Sequence, residues 1–312
     1  MKILISDKSS PRCAELLREA GHEVDENTGL SPEELKSIIG DYHGLVIRSA
    51  TKVTAEILDA ATNLKVVGRA GTGVDNVDLD AATRNEVVVM NTPGGNSNAV
   101  AELALGHMLA ISRHICSGTN SLREGKWEKK QLKGVEITGK TIGILGYGRI
   151  SRILAEKCRL LGMTVLCYDP KIQKEITDST SLKIVSSLDA LLAVSDYISI
   201  HLTKRPDTVN LINEEKLAKM KSGAYLINCS RGGIVNEHDL AAALDKGWVA
   251  GAAVDVFDSE PPTDFTLIQH PKVICTPHIG ASSVEAQDNV AIMVAEQFID
   301  FFSGKEVRNA VN

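Results

Sequence analysis

An arginine, a carboxylate and a histidine stand in turn-forming sequence in the second half of this chain. Arg231 lies in Asn228-Cys-Ser-Arg-Gly-Gly, Glu260 precedes Pro261-Pro262, and His278 lies in Pro277-His-Ile-Gly-Ala. A histidine of near-neutral pKa takes the proton of an alcohol as a hydride leaves the carbon, and returns it in the reverse direction. Glu260 suits the far nitrogen of the His278 ring, where it would fix the tautomer and stabilise the imidazolium, so a raised His278 pKa is expected. The planar fork of Arg231 suits a substrate carboxylate and would polarise the adjacent carbonyl, with the following glycines clearing space for the ligand. The set is one for acid-base chemistry coupled to hydride transfer.

A second constellation reads as the site of a dinucleotide, the hydride acceptor. Thr141-Ile-Gly-Ile-Leu reads as a strand, Gly146-Tyr-Gly148 as a tight turn, and Arg149-Ile150-Ser151 as the start of a helix. Such a turn brings backbone close to a pyrophosphate, which the amides at the helix N-terminus bind. Asp169, ending the next strand, is placed to accept from an adenosine ribose and to repel a 2′-phosphate, so NAD is expected rather than NADP. Ser151 replaces the usual third glycine. Its hydroxyl is expected to bond back to the preceding turn, with slightly altered packing and retained binding. Among the other histidines, His201 ends a strand on the same edge, where it could line the cofactor cleft. His22, His43, His107, His114, His238 and His270 read as structural or surface residues without a convergent partner.

The elements that must position these groups follow from the pattern of apolar residues. Arg231, Glu260 and His278 each follow a short apolar, β-branched run (Ala224 to Ile227, Val249 to Val254, Val273 to Cys275), so all would project from the carboxyl edge of one parallel sheet. Open α/β sheets bind their ligands at that edge. From the N-terminus, strand-like runs at 3–5, 44–47, 65–67 and 87–90 alternate with helical segments, which predicts a parallel sheet covered on both faces. Asn91-Thr-Pro-Gly-Gly then punctuates the pattern, and Ala99 to Cys116 reads as one long, mostly apolar helix. The rhythm resumes from Thr141 to Val273, and an amphipathic helix from Val284 to Phe302 has no strand after it. The expected fold is α/β with two doubly wound parallel-sheet domains, a Rossmann-type NAD domain (96–283) inserted into a flavodoxin-like substrate domain (1–95 and 284–312).

Composition bounds the function classes. The chain has 312 residues, 43% hydrophobic and 24% charged, enough for two domains with separate cores. A formal net charge of -6 offers no basic field for nucleic acid or an anionic membrane. No apolar run approaches the roughly 20 residues of a membrane span, and the N-terminal sequence does not read as a signal peptide, so a cytoplasmic protein is expected. Cys13, Cys116, Cys158, Cys167, Cys229 and Cys275 lie far apart with no CxxC pair. They read as reduced thiols, and no metal site is expected. Cys229, next to Arg231, reads as a packed small hydrophobe rather than a nucleophile.

The chain resembles the D-isomer-specific 2-hydroxyacid dehydrogenases over essentially its whole length. The motifs are ordered: Arg48-Ser-Ala-Thr-Lys-Val, Val67-Gly-Arg69-Ala-Gly71-Thr72-Gly-Val-Asp, Asn91-Thr-Pro, Gly125-Lys-Trp127, the Gly146 turn, and the segments around Arg231, Asp255, Glu260 and His278. The resemblance is strongest to the members that oxidise D-3-phosphoglycerate to 3-phosphohydroxypyruvate at the entry to L-serine synthesis. It implies catalytic Arg231, Glu260 and His278. It implies NAD contacts from Thr72, Gly146, Gly148, Arg149, Ile150, Asp169, Cys229, Asp255, Gly280 and Ala281. The first domain would be the substrate lid, with amides near Gly71 meeting the substrate carboxylate and Asn96 near the cleft. Arg48 and Arg69, each after a strand, suit the substrate phosphate. The resemblance also implies a homodimer built by the helix from Ala99 and the arm around Trp127. Long members of the family carry C-terminal regulatory domains, whereas this chain stops after Phe302-Ser-Gly-Lys, so serine feedback through such a domain is not expected. One departure is His201-Leu-Thr-Lys204-Arg205-Pro, where the family more often has His-x-Pro-Leu; Lys204 and Arg205 could adjust cofactor affinity. A glyoxylate or hydroxypyruvate reductase is the alternative within the family, to be told apart by whether Arg48 and Arg69 matter. A non-catalytic NAD-sensing scaffold is the alternative outside enzymes, to be told apart by turnover.

Overall fold

The computed structural model describes residues 1–171 and 182–312. The described chain divides into two compact units, Met1–Ser97 with Ala281–Asn312, and Asn98–Gly280.

The first unit carries β1 (Lys2–Ile5), α1 (Pro11–Glu19), β2 (Glu23–Glu26), α2 (Pro32–Ile38), β3 (Gly44–Ile47), α3 (Ala55–Ala60), β4 (Val66–Arg69), α4 (Leu79–Arg84) and β5 (Val88–Asn91). Its five-stranded sheet has the order β2-β1-β3-β4-β5, and every pair of neighbouring strands is parallel. One face packs on Leu35, Ile57, Leu58, Ala81 and Ala82 from α2, α3 and α4, and the other on Cys13, Ala14 and Leu17 of α1. β2 escaped the periodicity reading because its sequence, Glu-Val-Asp-Glu, buries only Val24. An edge strand with one anchored residue leaves little apolar signal.

The second unit continues with α5 (Ser97–Ser112), α6 (Ile115–Arg123), β6 (Thr141–Leu145), α7 (Arg149–Leu160), β7 (Thr164–Tyr168), β8 (Leu182–Ile184), α8 (Leu188–Val194), β9 (Tyr197–Ile200), α9 (Glu214–Leu217), β10 (Tyr225–Asn228), α10 (Glu237–Asp245), β11 (Gly251–Val254) and β12 (Val273–Cys275). The seven-stranded sheet has the order β12-β11-β10-β9-β6-β7-β8, all parallel. The order reverses between β6 and β9, and ligands of doubly wound sheets sit at such a switch point. Successive residues of β10 serve opposite faces: Leu226 joins the core under α8, α9 and α10, while Ile227 joins the core under α5 and α7.

The expected single helix from Ala99 to Cys116 is two. His114 adopts a left-handed conformation with φ 53°, which ends α5 and redirects the chain into α6. A left-handed residue cannot continue a right-handed helix, and apolar content alone does not reveal such a break.

α11 (Val284–Phe302) starts at Ser283, whose hydroxyl accepts from the Ala286 amide. Its inner face, Val290, Ala291, Val294, Ala295 and Phe298, is buried with the α1 side of the first sheet. Phe298 lies against Gly44, which opens β3, and Gly68 within β4; a Cβ at Gly44 would come within 2.7 Å of its ring, and one at Gly68 would collide with it. The two glycines thus let the helix approach the strands closely. Complete burial of Phe298 contributes on the order of 1.5–3 kcal/mol. The C-terminal residues close the open edge of this sheet, with the Val311 amide donating to Val89 O and Asn312 Oδ1 accepting from Val89 N.

Candidate active site

β10 ends at Asn228, and the turn after it is built by that side chain. Asn228 Oδ1 accepts from the Ser230 amide at 3.1 Å and hydroxyl at 2.7 Å, while its Nδ2 donates to Arg231 O at 3.1 Å. Asn228 is 3% exposed, so the turn rests on a fixed anchor. The Arg231 guanidinium donates through Nη1 to Ser230 O at 2.8 Å.

The loop after β11 presents Glu260. Its Oε1 accepts from the Phe257 amide at 3.1 Å, and its Oε2 lies 2.5 Å from His278 Nδ1. Burial opposes ionisation of Glu260. The bond to His278, the charge of that ring, the Phe257 amide and the Arg231 charge outweigh it and hold the carboxyl below the usual range. The negative charge is therefore kept beside the imidazole. With Nδ1 engaged by Glu260, Nε2 is the ring nitrogen left for a substrate proton, and the side chain is 45% exposed. His278 itself has φ 51°, a left-handed conformation uncommon for a residue with a Cβ. Just beyond it, the amides of Ile279 and Gly280 donate to Asp255 Oδ1 and Oδ2, each at 2.8 Å.

The glycine-rich turn leaves the carboxyl end of β6. Gly146 has φ 93°, and a Cβ there would sit 2.7 Å from the His201 carbonyl oxygen, so only glycine makes this turn against β9. Gly148 is the N-cap of α7, with no side-chain cap and open space where a Cβ would stand. Most other helices start differently: Ser10, Ser31, Asp78, Ser187, Asn236 and Ser283 each cap one with a side-chain oxygen. The first-turn amides of α7, at Arg149 and Ile150, thus remain available to an anionic ligand. Asp169 Oδ2 accepts from the Tyr147 amide at 2.9 Å, which fixes its carboxylate beside the turn. Uncapped amides with an adjacent carboxylate fit a dinucleotide's pyrophosphate and ribose.

Ser151 departs from expectation. Its hydroxyl is fully buried with no hydrogen-bond partner among the described residues, so it does not bond back to a preceding turn. The physical reason is position: Ser151 is in the first turn of α7, and four residues back stands Tyr147, outside the helix. His201 follows β9, with a ring nitrogen 2.8 Å from Ser199 Oγ and its pKa pushed down by burial to about 4. Burial thus favours the neutral ring. Arg205 is paired with Asp207 at 2.9 Å, and Lys204 Nζ lies beside Gly233.

In the first unit, the register Ile47↔Arg69 puts Arg48 and Arg69 at the carboxyl edge of adjacent strands β3 and β4. Asp7 holds the Arg48 amide at 2.6 Å, and Arg48 Nη1 donates to Lys8 O at 3.2 Å. The Arg69 guanidinium lies over Gly71. The Thr72 hydroxyl donates to Asn96 Oδ1 at 3.0 Å, and Asn91 Nδ2 donates to Thr72 O at 2.7 Å. Asn96 is 9% exposed and oriented by that bond.

The residue that sequence reasoning missed is His107. On α5 and 6% exposed, it has Cys229 Sγ 3.6 Å from Nδ1 and Thr276 Oγ1 3.2 Å from Nε2. Cys229 is buried, its thiol pKa raised by that burial and further by Asp255, which suits a packed thiol and not a nucleophile. No sequence spacing ties residue 107 to 229 and 276, which meet only in the fold. Among the described residues no group of His, Cys, Asp and Glu could hold a metal ion, and no helix is long and apolar enough to cross a membrane.

Comparison with known proteins bears on the same residues. Residues 105–280 match the family model of the D-isomer specific 2-hydroxyacid dehydrogenase NAD binding domain. The whole chain aligns with human D-3-phosphoglycerate dehydrogenase at 47% identity over 311 residues, covering 58% of that protein. It aligns with D-3-phosphoglycerate dehydrogenase of Archaeoglobus fulgidus at 45% identity over 313 residues, covering 59% of it. The chain thus spans less than two thirds of the length of these curated relatives. Among solved structures, NAD+-bound 3-phosphoglycerate dehydrogenase of Entamoeba histolytica superposes with a TM-score of 0.84 at 31% identity, over 100% of this chain and 98% of that one. With two parallel sheets, an open helix N-terminus after the Gly146 turn and this sequence similarity, the chain belongs to the D-isomer specific 2-hydroxyacid dehydrogenase family, and its second unit carries the NAD binding domain.

Proposed function

We propose that this protein oxidises D-3-phosphoglycerate to 3-phosphohydroxypyruvate with NAD in the cytoplasm, the first step of phosphorylated L-serine synthesis. The observation that carries the reading is the Glu260–His278 pair at 2.5 Å, in a chain whose relatives are named for that reaction. NAD, once bound, supplies the hydride acceptor. His278 Nε2 takes the C2 hydroxyl proton, the C–H electron pair leaves as hydride, and the C2 carbonyl forms. Glu260 balances the imidazolium, and Arg231 holds the substrate carboxylate and polarises the new carbonyl. Gly146, Gly148, Arg149, Ile150 and Asp169 hold the dinucleotide, together with Thr72, Asp255 and the His278–Ala281 turn. Arg48 and Arg69 serve the phosphate, and Gly71 and Asn96 the carboxylate end.

The test is NADH consumption with 3-phosphohydroxypyruvate against unphosphorylated hydroxypyruvate. Wild type should prefer the phosphorylated substrate, and Arg48→Ala should lose about 2 kcal/mol of that preference, near thirtyfold in kcat/KM. NADPH in place of NADH should support little turnover, because Asp169 faces the ribose. Equal rates on both substrates would favour a general hydroxypyruvate reductase instead. Recovery of the native protein in a membrane fraction would count against the cytoplasmic placement.

The same reading includes a homodimer through α5, α6 and the arm around Trp127. Leu109, Ile115, Leu122 and Trp127 of these segments are exposed, Trp127 by 80%, and apolar surface of this kind is a common mark of association. Sedimentation equilibrium should give about twice the chain mass, and Trp127→Glu should weaken the association. A wild-type monomer at micromolar concentration would remove the dimer from the reading.

A further inference from the structure

Asp255, 1% exposed, takes backbone N–H groups on both carboxylate oxygens, from Ile279 and Gly280. Its Oδ1 also takes the Thr276 hydroxyl at 2.5 Å. An ionised carboxylate only accepts, so the Thr276 proton is committed to Asp255 and Thr276 Oγ1 offers only lone pairs to its other neighbour. That neighbour is His107 Nε2, which must then carry the ring proton. Nδ1 is left as the acceptor, facing the Cys229 thiol as its donor. Burial lowers the His107 pKa against the opposing pull of Asp255, in keeping with a neutral ring. The bonds run in one direction, from Cys229 through His107 and Thr276 to Asp255.

What the chain holds is the turn that carries His278. That residue sits in a left-handed conformation, and the peptides after it are fixed only as firmly as the carboxylate that receives them. Thr276 precedes His278 by two residues and accepts the His278 amide on its own carbonyl at 3.0 Å. The residues around His278 are thus tied on both sides to Asp255 and, through the Thr276 side chain, to α5.

We infer that His107 is a positioning residue for His278, acting as the Nε2–H donor to Thr276 in a relay that ends on Asp255 and the Ile279–Gly280 amides. The inference deepens the proposed function and rests on His278 being its acid-base group. His107 does not touch the reacting atoms. Its loss removes one of the two side-chain bonds that hold the Thr276 hydroxyl and cuts its tie to α5, so that the turn samples positions in which His278 is misaligned, and small misplacements of a catalytic group are costly in rate.

The test compares His107→Leu, His107→Gln, Thr276→Val and the double variant His107→Leu/Thr276→Val. His107→Leu and Thr276→Val should each lower kcat for 3-phosphohydroxypyruvate about tenfold with KM within about twofold, because ground-state contacts are kept. The double variant should be no worse than either single one, as members of one relay are not additive. His107→Gln, whose amide N–H can reach the same hydroxyl, should recover most of the rate. A wild-type kcat in His107→Leu, additive losses in the double variant, or no rescue by Gln would overturn the inference. Nitrogen-15 NMR of histidine-labelled wild type provides a readout independent of turnover and of any variant's folding. It should show His107 as the Nε2–H tautomer, and an Nδ1–H tautomer or a doubly protonated ring at neutral pH would overturn the relay. Absence of any turnover in wild type would defeat the proposed function, while the NMR result would still decide whether the relay exists.

Discussion

His278→Ala is expected to lower kcat for NADH-linked reduction of 3-phosphohydroxypyruvate by about a hundred- to ten-thousand-fold, with NADH affinity nearly unchanged. The size follows from the ring's placement. Glu260 occupies Nδ1, so in the proposed reaction the Nε2 proton is the one delivered to the carbonyl oxygen, and Glu260 is held ionised by the surroundings described above. Alanine leaves water as the proton source, with no ring held in place to deliver the proton. Stability should change little, because the side chain is nearly half exposed while the turn is held through backbone amides by Asp255. Stopped-flow absorbance for turnover, NADH fluorescence titration for binding and a thermal melt separate these quantities. Near-normal turnover would remove His278 from the mechanism, and a lost NADH signal with a lowered melt would mean that the turn had collapsed instead.

The residues behind this prediction were legible in sequence for a physical reason. Each follows a short, apolar parallel strand, β10 and β11 largely buried and β12 half-buried at the sheet edge, and such runs are easily seen; β12 lies at its expected bounds, Val273–Cys275, and β10 and β11 within two residues of theirs. The Gly146 turn was legible because a left-handed backbone pressed against a carbonyl leaves glycine as the only choice. What stayed hidden depends on contacts distant in sequence or on single backbone angles. β2 hides because only Val24 is buried, and the end of α5 hides because φ at His114 is not encoded in apolar content. His107 looked like any other helical histidine until β12 and the turn after β10 brought Thr276 and Cys229 to its two nitrogens. Ser151 lacks the expected hydrogen bond because its place in the first turn of α7 leaves no helical turn behind it to bond to.

Arg231→Lys should cost about a hundred-fold or more in kcat/KM although it keeps the charge. The reasoning separates what Arg231 does as a cation from what it does as a fork. As a cation it helps hold Glu260 ionised, and a lysine ammonium at the same turn would preserve much of that influence. As a fork it has a fixed plane: Nη1 donates to Ser230 O, orienting the guanidinium relative to the backbone that Asn228 has anchored. Lysine has neither the plane nor paired donors, so a carboxylate that needs two parallel N–H bonds would be met by one mobile point charge. The loss should appear in both kcat and KM, because the proposed clamp would bind the ground state and also polarise the reacting carbonyl. Arg231→Ala sets the scale. If Lys and Ala lose activity alike, the fork carries the effect. If Lys recovers most of it, Arg231 acts through charge alone, and the substrate carboxylate must be held elsewhere. The Asn228 turn supports Ser230 and the residue 231 carbonyl in both variants, so either outcome reports on the guanidinium and not on a rearranged loop.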